Sequence, residues 1–187
     1  DDDTPARPLN SYGVEKVIGE YLVGEYARRG FIDGRCLRLP TIVIRPGVPN
    51  KAASSFASSI LREPLTGKKT VCPVSRDLPV WIQSPRAVIG NLIHAHDLPA
   101  DAWEDGLRVI NLPGITVTVA EMVEALECAG GDVSLIEWKF DQDIESIVGS
   151  WPHGMKTDRA NRLGFTADKN MDSIISVFRE DELGHAS

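Results

Sequence analysis

Tyr12 and Lys16 are the two residues of this sequence whose types and spacing best suit acid–base chemistry. They stand four apart in Ser11-Tyr12-Gly13-Val14-Glu15-Lys16, so on a helix they share one face. A free phenol titrates at about pH 10, too high for a useful base at neutrality. An ammonium held beside it favours the phenolate and lowers that value. A tyrosine so tuned can accept the proton of a substrate hydroxyl while the carbon bearing it gives up a hydride to a nicotinamide. Three tyrosines and seven lysines in 187 residues produce about 0.1 such pairs by chance, so the spacing alone is modest support. Its place near the start of a helix and just before an apolar strand adds weight.

The elements that must position the pair follow from patterning. Val14, Val17, Ile18, Tyr21, Leu22 and Tyr26 recur at spacings of three and four, predicting a helix from about Asn10 to Arg29 with one apolar stripe. Gly30 supplies its stop, while Gly19 and Gly24 inside it are costly unless something approaches closely. Arg35–Ile44 reads as a buried strand whose hydrogen bonding Pro40 interrupts, and Arg45–Asn50 as a loop. Further helices are expected at Ser54–Arg62, from Ser84-Pro85 to His96, and from a capping box at Thr118 and Glu121 to Ala129. Three more cover Asp141–Val148, Thr157–Leu163 and Asp172–Leu183. Strands at Thr70–Val74, Val80–Ile82, Leu107–Leu112 and Val133–Trp138 alternate with them, so the class is α/β.

Composition closes off several functions. With 42% hydrophobic and 25% charged residues the chain can bury a core, which excludes a disordered, collagen-like or disulfide-stapled protein. A net charge of −7 repels phosphate backbones, so no nucleic-acid partner is expected. No apolar run reaches the roughly 18 residues that span a bilayer, and Asp1-Asp2-Asp3 is unlike a signal peptide's basic start. The expectation is a cytoplasmic protein with no membrane partner. Cys36, Cys72 and Cys128 are odd in number and lack C-x-x-C spacing, and read as buried free thiols. His94 and His96, two apart, point to different helix faces, so no metal site is expected. Trp81, Trp103, Trp138 and Trp151 are too scattered for a stacking platform and are assigned to the core or its rim. Neither G-x-G-x-x-G nor G-x-x-x-x-G-K-[ST] occurs; either no dinucleotide binds, or that unit lies before Asp1.

Ser11-Tyr12-x-x-x-Lys16, the strand Leu37-Arg38-Leu39-Pro40 and the late segment Asp158 to Phe165 resemble the extended short-chain dehydrogenases/reductases, the NAD-dependent epimerase/dehydratase family. Arg38–Gly67, Ile110–Leu126 and Ile147–Pro152 are similar to the branch that oxidises small aldonates such as D-erythronate. The resemblance covers essentially the whole chain; its Tyr-x-x-x-Lys part is generic and its Arg38–Gly67 part specific. It implies the C-terminal part of such an enzyme: the last Rossmann helices and strands plus a small α/β substrate domain, without the N-terminal glycine-rich half. Residues 1–47 would be the remnant of the dinucleotide-binding domain. Residues 48–187 would be mainly substrate-binding, with some segments returning to the Rossmann part. The family's upstream catalytic Ser/Thr is not in this sequence, so the chain alone is expected to be inactive.

Carried over by residue, the resemblance makes Tyr12 the general base, reaching the nicotinamide ribose. It makes Lys16 the partner of the ribose hydroxyls and of Tyr12. Pro40, Thr41 and Ile42 would face the carboxamide of an NAD whose site is incomplete in this chain. Tyr12, Val43, Arg45, Asn50, Lys51 and Arg86 would lie beside substrate. An acid substrate calls for an arginine fork, and Arg45, Arg62, Arg76 and Arg86 are candidates, although for any one of them a surface ion pair is the commoner role. Asn50 could orient a hydroxyl or simply make a turn. The implied reaction oxidises the 2-hydroxyl of a small aldonate to a 2-oxo acid. A nucleotide-sugar epimerase or dehydratase, and a non-catalytic NAD-binding regulator, are the alternatives. The implied partners are a small sugar acid and, in the full-length protein, a second copy in a homodimer.

Overall fold

The computed structural model describes residues 1–48, 50, 52–103 and 108–184. Asn10 opens helix α1 (Ser11–Arg28) by accepting the Gly13 N–H at 2.8 Å, and Gly30, at φ +74°, follows its end. The expected strand Arg35–Ile44 is in fact two, β1 (Cys36–Arg38) and β2 (Thr41–Ile42), which join different sheets. Pro40 has no N–H to continue a ladder, so the chain leaves one sheet and starts another. Next come α2 (Ser55–Leu65), β3 (Thr70–Cys72), β4 (Pro79–Gln83) and α3 (Pro85–Asp97). They are followed by β5 (Val109–Asn111), β6 (Ile115–Thr118), α4 (Val119–Cys128) and β7 (Ile136–Trp138). The chain continues with α5 (Gln142–Gly149), α6 (Asp158–Arg162) and α7 (Met171–Phe178).

Most expected elements are present within a few residues. Leu107, the expected start of β5, lies outside the described residues. β6 is an addition: after Pro113-Gly114 the chain pairs antiparallel with β4 before the helix cap begins. Val133–Leu135 is a 3-10 turn that shortens the expected strand to β7, and beyond Phe178 the chain widens into a π-type turn.

Two compact units form, each from three stretches of chain. The first takes residues 1–39, 89–113 and 155–166. It holds α1, α6 and the parallel pair β1–β5, in which Arg38 faces Asn111. Asn91 pins the chain after α6 through two hydrogen bonds to the Thr166 backbone, at 2.8 and 3.1 Å. His94 Nε2 meets the Leu163 carbonyl at 2.7 Å, so this histidine is spent on packing. The stripe expected on α1 does not face a core: Ile18, Tyr21, Leu22 and Tyr26 are all about half exposed.

The second unit takes residues 40–88, 114–154 and 167–187, described to residue 184. The expected boundary after residue 47 therefore falls inside it. Its sheet runs β2–β4–β6, beside a separate parallel pair β3–β7. Ile44, Ile60, Leu61, Met122, Leu126 and Ile174 are fully buried at its centre. The capping box expected at Thr118 and Glu121 is formed. Ser84, at the start of α3, gives both its backbone N–H and its hydroxyl to Asp168, each at 2.7 Å.

Cys72 is buried and Cys36 half-buried, but Cys128 is exposed, because it ends the outer face of α4. Trp81 and Trp103 are buried, and Trp138 sits at the rim under Arg76. Among the described residues no helix is long and apolar enough to cross a membrane, and no three His, Cys, Asp or Glu side chains converge as a metal site.

Candidate active site

In the first unit the spacing of Tyr12 and Lys16 becomes a contact. Lys16 Nζ lies 5.1 Å from the centroid of the Tyr12 ring, and Tyr12 is 69% exposed. Gly13, between them, allows the leading segment to lie against the first turn: a Cβ there would sit 2.7 Å from Pro8 Cβ. One turn further on, Arg38 takes Glu20 in a fork, donating from Nε at 2.8 Å and from Nη2 at 2.7 Å. That carboxylate raises the Arg38 guanidinium above its usual value, with burial opposing. Arg38 also donates to Asn111 at 3.4 Å, and Asn111 donates to Asp2 at 3.3 Å. The network ties α1, β1, β5 and the leading segment together. Among the described residues Lys16 has no carboxylate partner.

The other candidate residues belong to the second unit. Pro40 is buried, and β2 pairs with β4 through Thr41 opposite Ile82 and Ile42 opposite Gln83. β2 is an edge of its described sheet. The Val43 side chain is fully buried in the core and its N–H donates to the Gln83 carbonyl at 2.9 Å, so only its carbonyl is open to other use. The peptide between Val43 and Ile44 is cis.

The loop that follows is held from α2, whose Ser55, Ser58 and Arg62 are buried. The Ser58 hydroxyl accepts the Arg45 N–H at 3.1 Å, and Arg62 donates from Nη1 to the Arg45 carbonyl at 2.6 Å. Asn50 donates its N–H to Ser55 at 3.0 Å, while its Oδ1 accepts from Ala52 N–H at 2.9 Å. Asn50 thus makes its own turn and keeps its side-chain amide N–H groups. Gly47, at φ +98°, carries the reversal between.

The four candidate arginines separate by their partners. Arg62 spends Nε and Nη2 on Glu63, at 2.9 and 2.7 Å. Arg86, exposed in the first turn of α3, is forked between Asp181 and Glu180, which raise its guanidinium further. Arg76 stacks at 4.2 Å over Trp138. Arg45 has a fixed backbone and, among the described residues, no carboxylate partner. Lys51 lies outside the described residues.

No protein-family profile matches the chain. It is 48% identical over 182 residues to D-erythronate dehydrogenase of Cupriavidus necator, covering 96% of this chain and 56% of that protein. It is 46% identical over 187 residues to D-erythronate dehydrogenase of Haemophilus influenzae, covering 97% of this chain and 58% of that protein. The chain is a relative of the D-erythronate dehydrogenases. It spans somewhat over half the length of these curated relatives. Its structure matches the nucleoside-diphosphate-sugar epimerase of Agrobacterium tumefaciens at a TM-score of 0.92 and 44% identity, over 97% of this chain and 54% of that one. L-threonine dehydrogenase of Phytophthora infestans, at 22% identity and a TM-score of 0.85, shares the fold. The resemblance to extended short-chain dehydrogenases is therefore borne out in sequence and in fold.

Sequence reasoning did not single out Glu20, which takes Arg38, nor Ser58 and Glu63, which hold the Arg45 N–H and Arg62. The signal available was weak. Glu20 lies one turn beyond Lys16, and Ser55, Ser58 and Arg62 recur at three and four on α2, a polar stripe on a helix buried all round.

Proposed function

We propose that this chain carries the proton-transfer and substrate-recognition residues of an NAD-dependent dehydrogenase that oxidises the 2-hydroxyl of a small aldonate, such as D-erythronate, to a 2-oxo acid. The observation that carries the reading is the exposed Tyr12–Lys16 pair on α1, in a chain nearly half identical to D-erythronate dehydrogenases. The chain's residues suit the cofactor. Lys16 presents three N–H donors not claimed by a described carboxylate, a match for ribose hydroxyls. Thr41 and Ile42, on a sheet edge, offer peptide groups to a carboxamide. When bound, NAD supplies the acceptor for the hydride that leaves C2. Tyr12 takes the proton of the C2 hydroxyl, and Lys16 stabilises the phenolate that receives it.

Recognition of the acid falls to Arg45, whose free fork suits a carboxylate. The Asn50 amide N–H groups and the Val43 carbonyl serve substrate hydroxyls, and Lys51 joins them in this reading. Arg86 enters only by exchanging Glu180 or Asp181 for the incoming carboxylate. The half-exposed stripe of α1 suits a helix-to-helix subunit contact, so the complete protein is read as a cytoplasmic homodimer. The 187-residue chain alone, having no G-x-G-x-x-G segment, is read as inactive.

The test supplies the complete gene product with NAD+ and either D-erythronate deuterated at C2 or a UDP-sugar. NADH carrying that deuterium supports the reading. Turnover of the sugar nucleotide alone would replace it with an epimerase or dehydratase, and no turnover of either would favour a regulator. NADH formed by the 187-residue chain alone would contradict its inactivity.

A further inference from the structure

Along α1, the residues one turn from Lys16 are Tyr12 and Gly13 on one side and Gly19 and Glu20 on the other. Glycine offers no side chain, so two groups compete for the ammonium: the phenol of Tyr12 and the carboxylate of Glu20. A full negative charge four residues away is the stronger attractor. Yet Lys16 lies over the Tyr12 ring, and both oxygens of Glu20 are occupied by Arg38, at 2.8 and 2.7 Å. Arg38 is itself held from three sides. Its Nη1 donates to Asn111, its carbonyl accepts the Leu112 N–H at 2.9 Å, and its strand is registered on β5. The Glu20 side chain is only 14% exposed, so it has no free oxygen turned to solvent in search of a second cation.

We propose that Arg38 is a positioning residue that sequesters Glu20 and so leaves Lys16 available to Tyr12. This role rests on Tyr12 and Lys16 being the working pair of the proposed reaction. It adds to that reaction a device outside the Tyr-x-x-x-Lys motif: the strand after the helix decides which partner the lysine serves. Besides the four residues named, the charged and titratable groups at this corner are Tyr21 on α1, Cys36 on β1, Asp2 and Asp3 of the leading segment, and Arg159, whose N–H donates to Asp2. Glu20 is the carboxylate one turn from Lys16 on α1, so it is the helical partner released when Arg38 is removed.

The test reads the phenol directly. The chain has three tyrosines, so 13C-labelled tyrosine gives three ring signals, and Tyr12→Phe identifies the one that matters. Arg38→Met is expected to raise the titration midpoint of Tyr12 by a few tenths of a pH unit, roughly what one exposed helical ion pair supplies. Tyr26 stays where it was, and Arg38→Met with Glu20→Gln returns Tyr12 to the parent midpoint. If Arg38→Met does not fold, Arg38→Lys, which keeps a single contact to Glu20, shows a smaller shift in the same direction. An unmoved Tyr12 midpoint in the folded variant, or a shift that Glu20→Gln fails to reverse, would overturn the role and leave Arg38 a purely structural anchor. In the complete gene product the acid limb of the kcat/KM profile moves up with the Tyr12 midpoint. The expected Tyr12 shifts without any aldonate turnover would keep the device and remove the proposed reaction; turnover without the shifts would do the reverse.

Discussion

Replacing Gly114 with alanine is expected to destabilise the second unit by about 1 kcal/mol, for a reason visible in three distances. A Cβ built there meets Trp81 Nε1 at 2.6 Å, the Ile82 carbonyl oxygen at 2.7 Å and Pro40 Cγ at 2.9 Å. Ordinary contact begins near 3.4 Å, so gaps of about 0.5 to 0.8 Å must open. None of the neighbours is the free end of a flexible side chain. Trp81 and Pro40 are buried, and the Ile82 carbonyl belongs to β4. Overpacking of this kind costs roughly 1–3 kcal/mol, and stiffening of the unfolded chain by alanine returns about 0.4–1 kcal/mol. For a chain of this size the net loss lowers Tm by about 2–4 °C.

Gly90→Ala is the matched control. It lies within α3 with nothing inside 4 Å of the new methyl, so the helical preference for alanine, about 1 kcal/mol, raises stability instead. Tryptophan fluorescence during thermal unfolding reads both units, since Trp81, Trp138 and Trp151 lie in the second and Trp103 lies with Gly90 in the first. A Gly114→Ala variant that melts at or above the parent temperature would refute the close-approach reasoning.

Three further outcomes follow from single groups. Burial pushes the Cys72 thiol up to about 11 from 9.0, so between those values the unfolded chain sheds a proton that the folded chain keeps. Stability therefore falls as pH rises from about 9 to 11, urea midpoints record the fall, and Cys72→Ala flattens it. Glu121 works in the opposite direction. The Thr118 backbone N–H, then its hydroxyl, hold the carboxyl below its usual value, so its contribution is present above pH 4.5 and lost as pH falls through the lowered value. Glu121→Gln removes that acid-side loss, again read from urea midpoints. Finally, Ser58→Ala leaves the Arg45 N–H without its acceptor, and amide exchange at Arg45 should quicken by about tenfold or more while the rest of α2 keeps its protection. Unchanged exchange at Arg45 would show that the hydroxyl does not hold the loop.

Local signals were the legible part of this protein. The 3.6-residue spacing placed Tyr12 and Lys16 on one helix face, and the cap residues marked the starts of α3 and α4. Gly30 announced a helix end, and its positive φ bears that out. Long-range choices were not legible. Pro40 gave notice of an interruption, but which sheet Thr41 would join depends on β4, some forty residues on. The four arginines were equivalent as candidates, because an arginine's role is set by the carboxylate that reaches it. Glu180 and Asp181 lie far along the chain from Arg86, and Glu20 lies eighteen residues before Arg38. The stripe on α1 was correctly patterned yet stays half exposed, since a helical period reports that a face is apolar and not what covers it.

The central claim, that Tyr12 is the base of an NAD-dependent aldonate oxidation, is tested most directly by NADH absorbance. The complete gene product and its Tyr12→Phe variant are supplied with NAD+ and D-erythronate. The account predicts that the variant folds, still binds NAD, and loses about 100- to 10,000-fold in kcat, the range a positioned general base contributes. A Tyr12→Phe variant that turns over D-erythronate at the parent rate would contradict it.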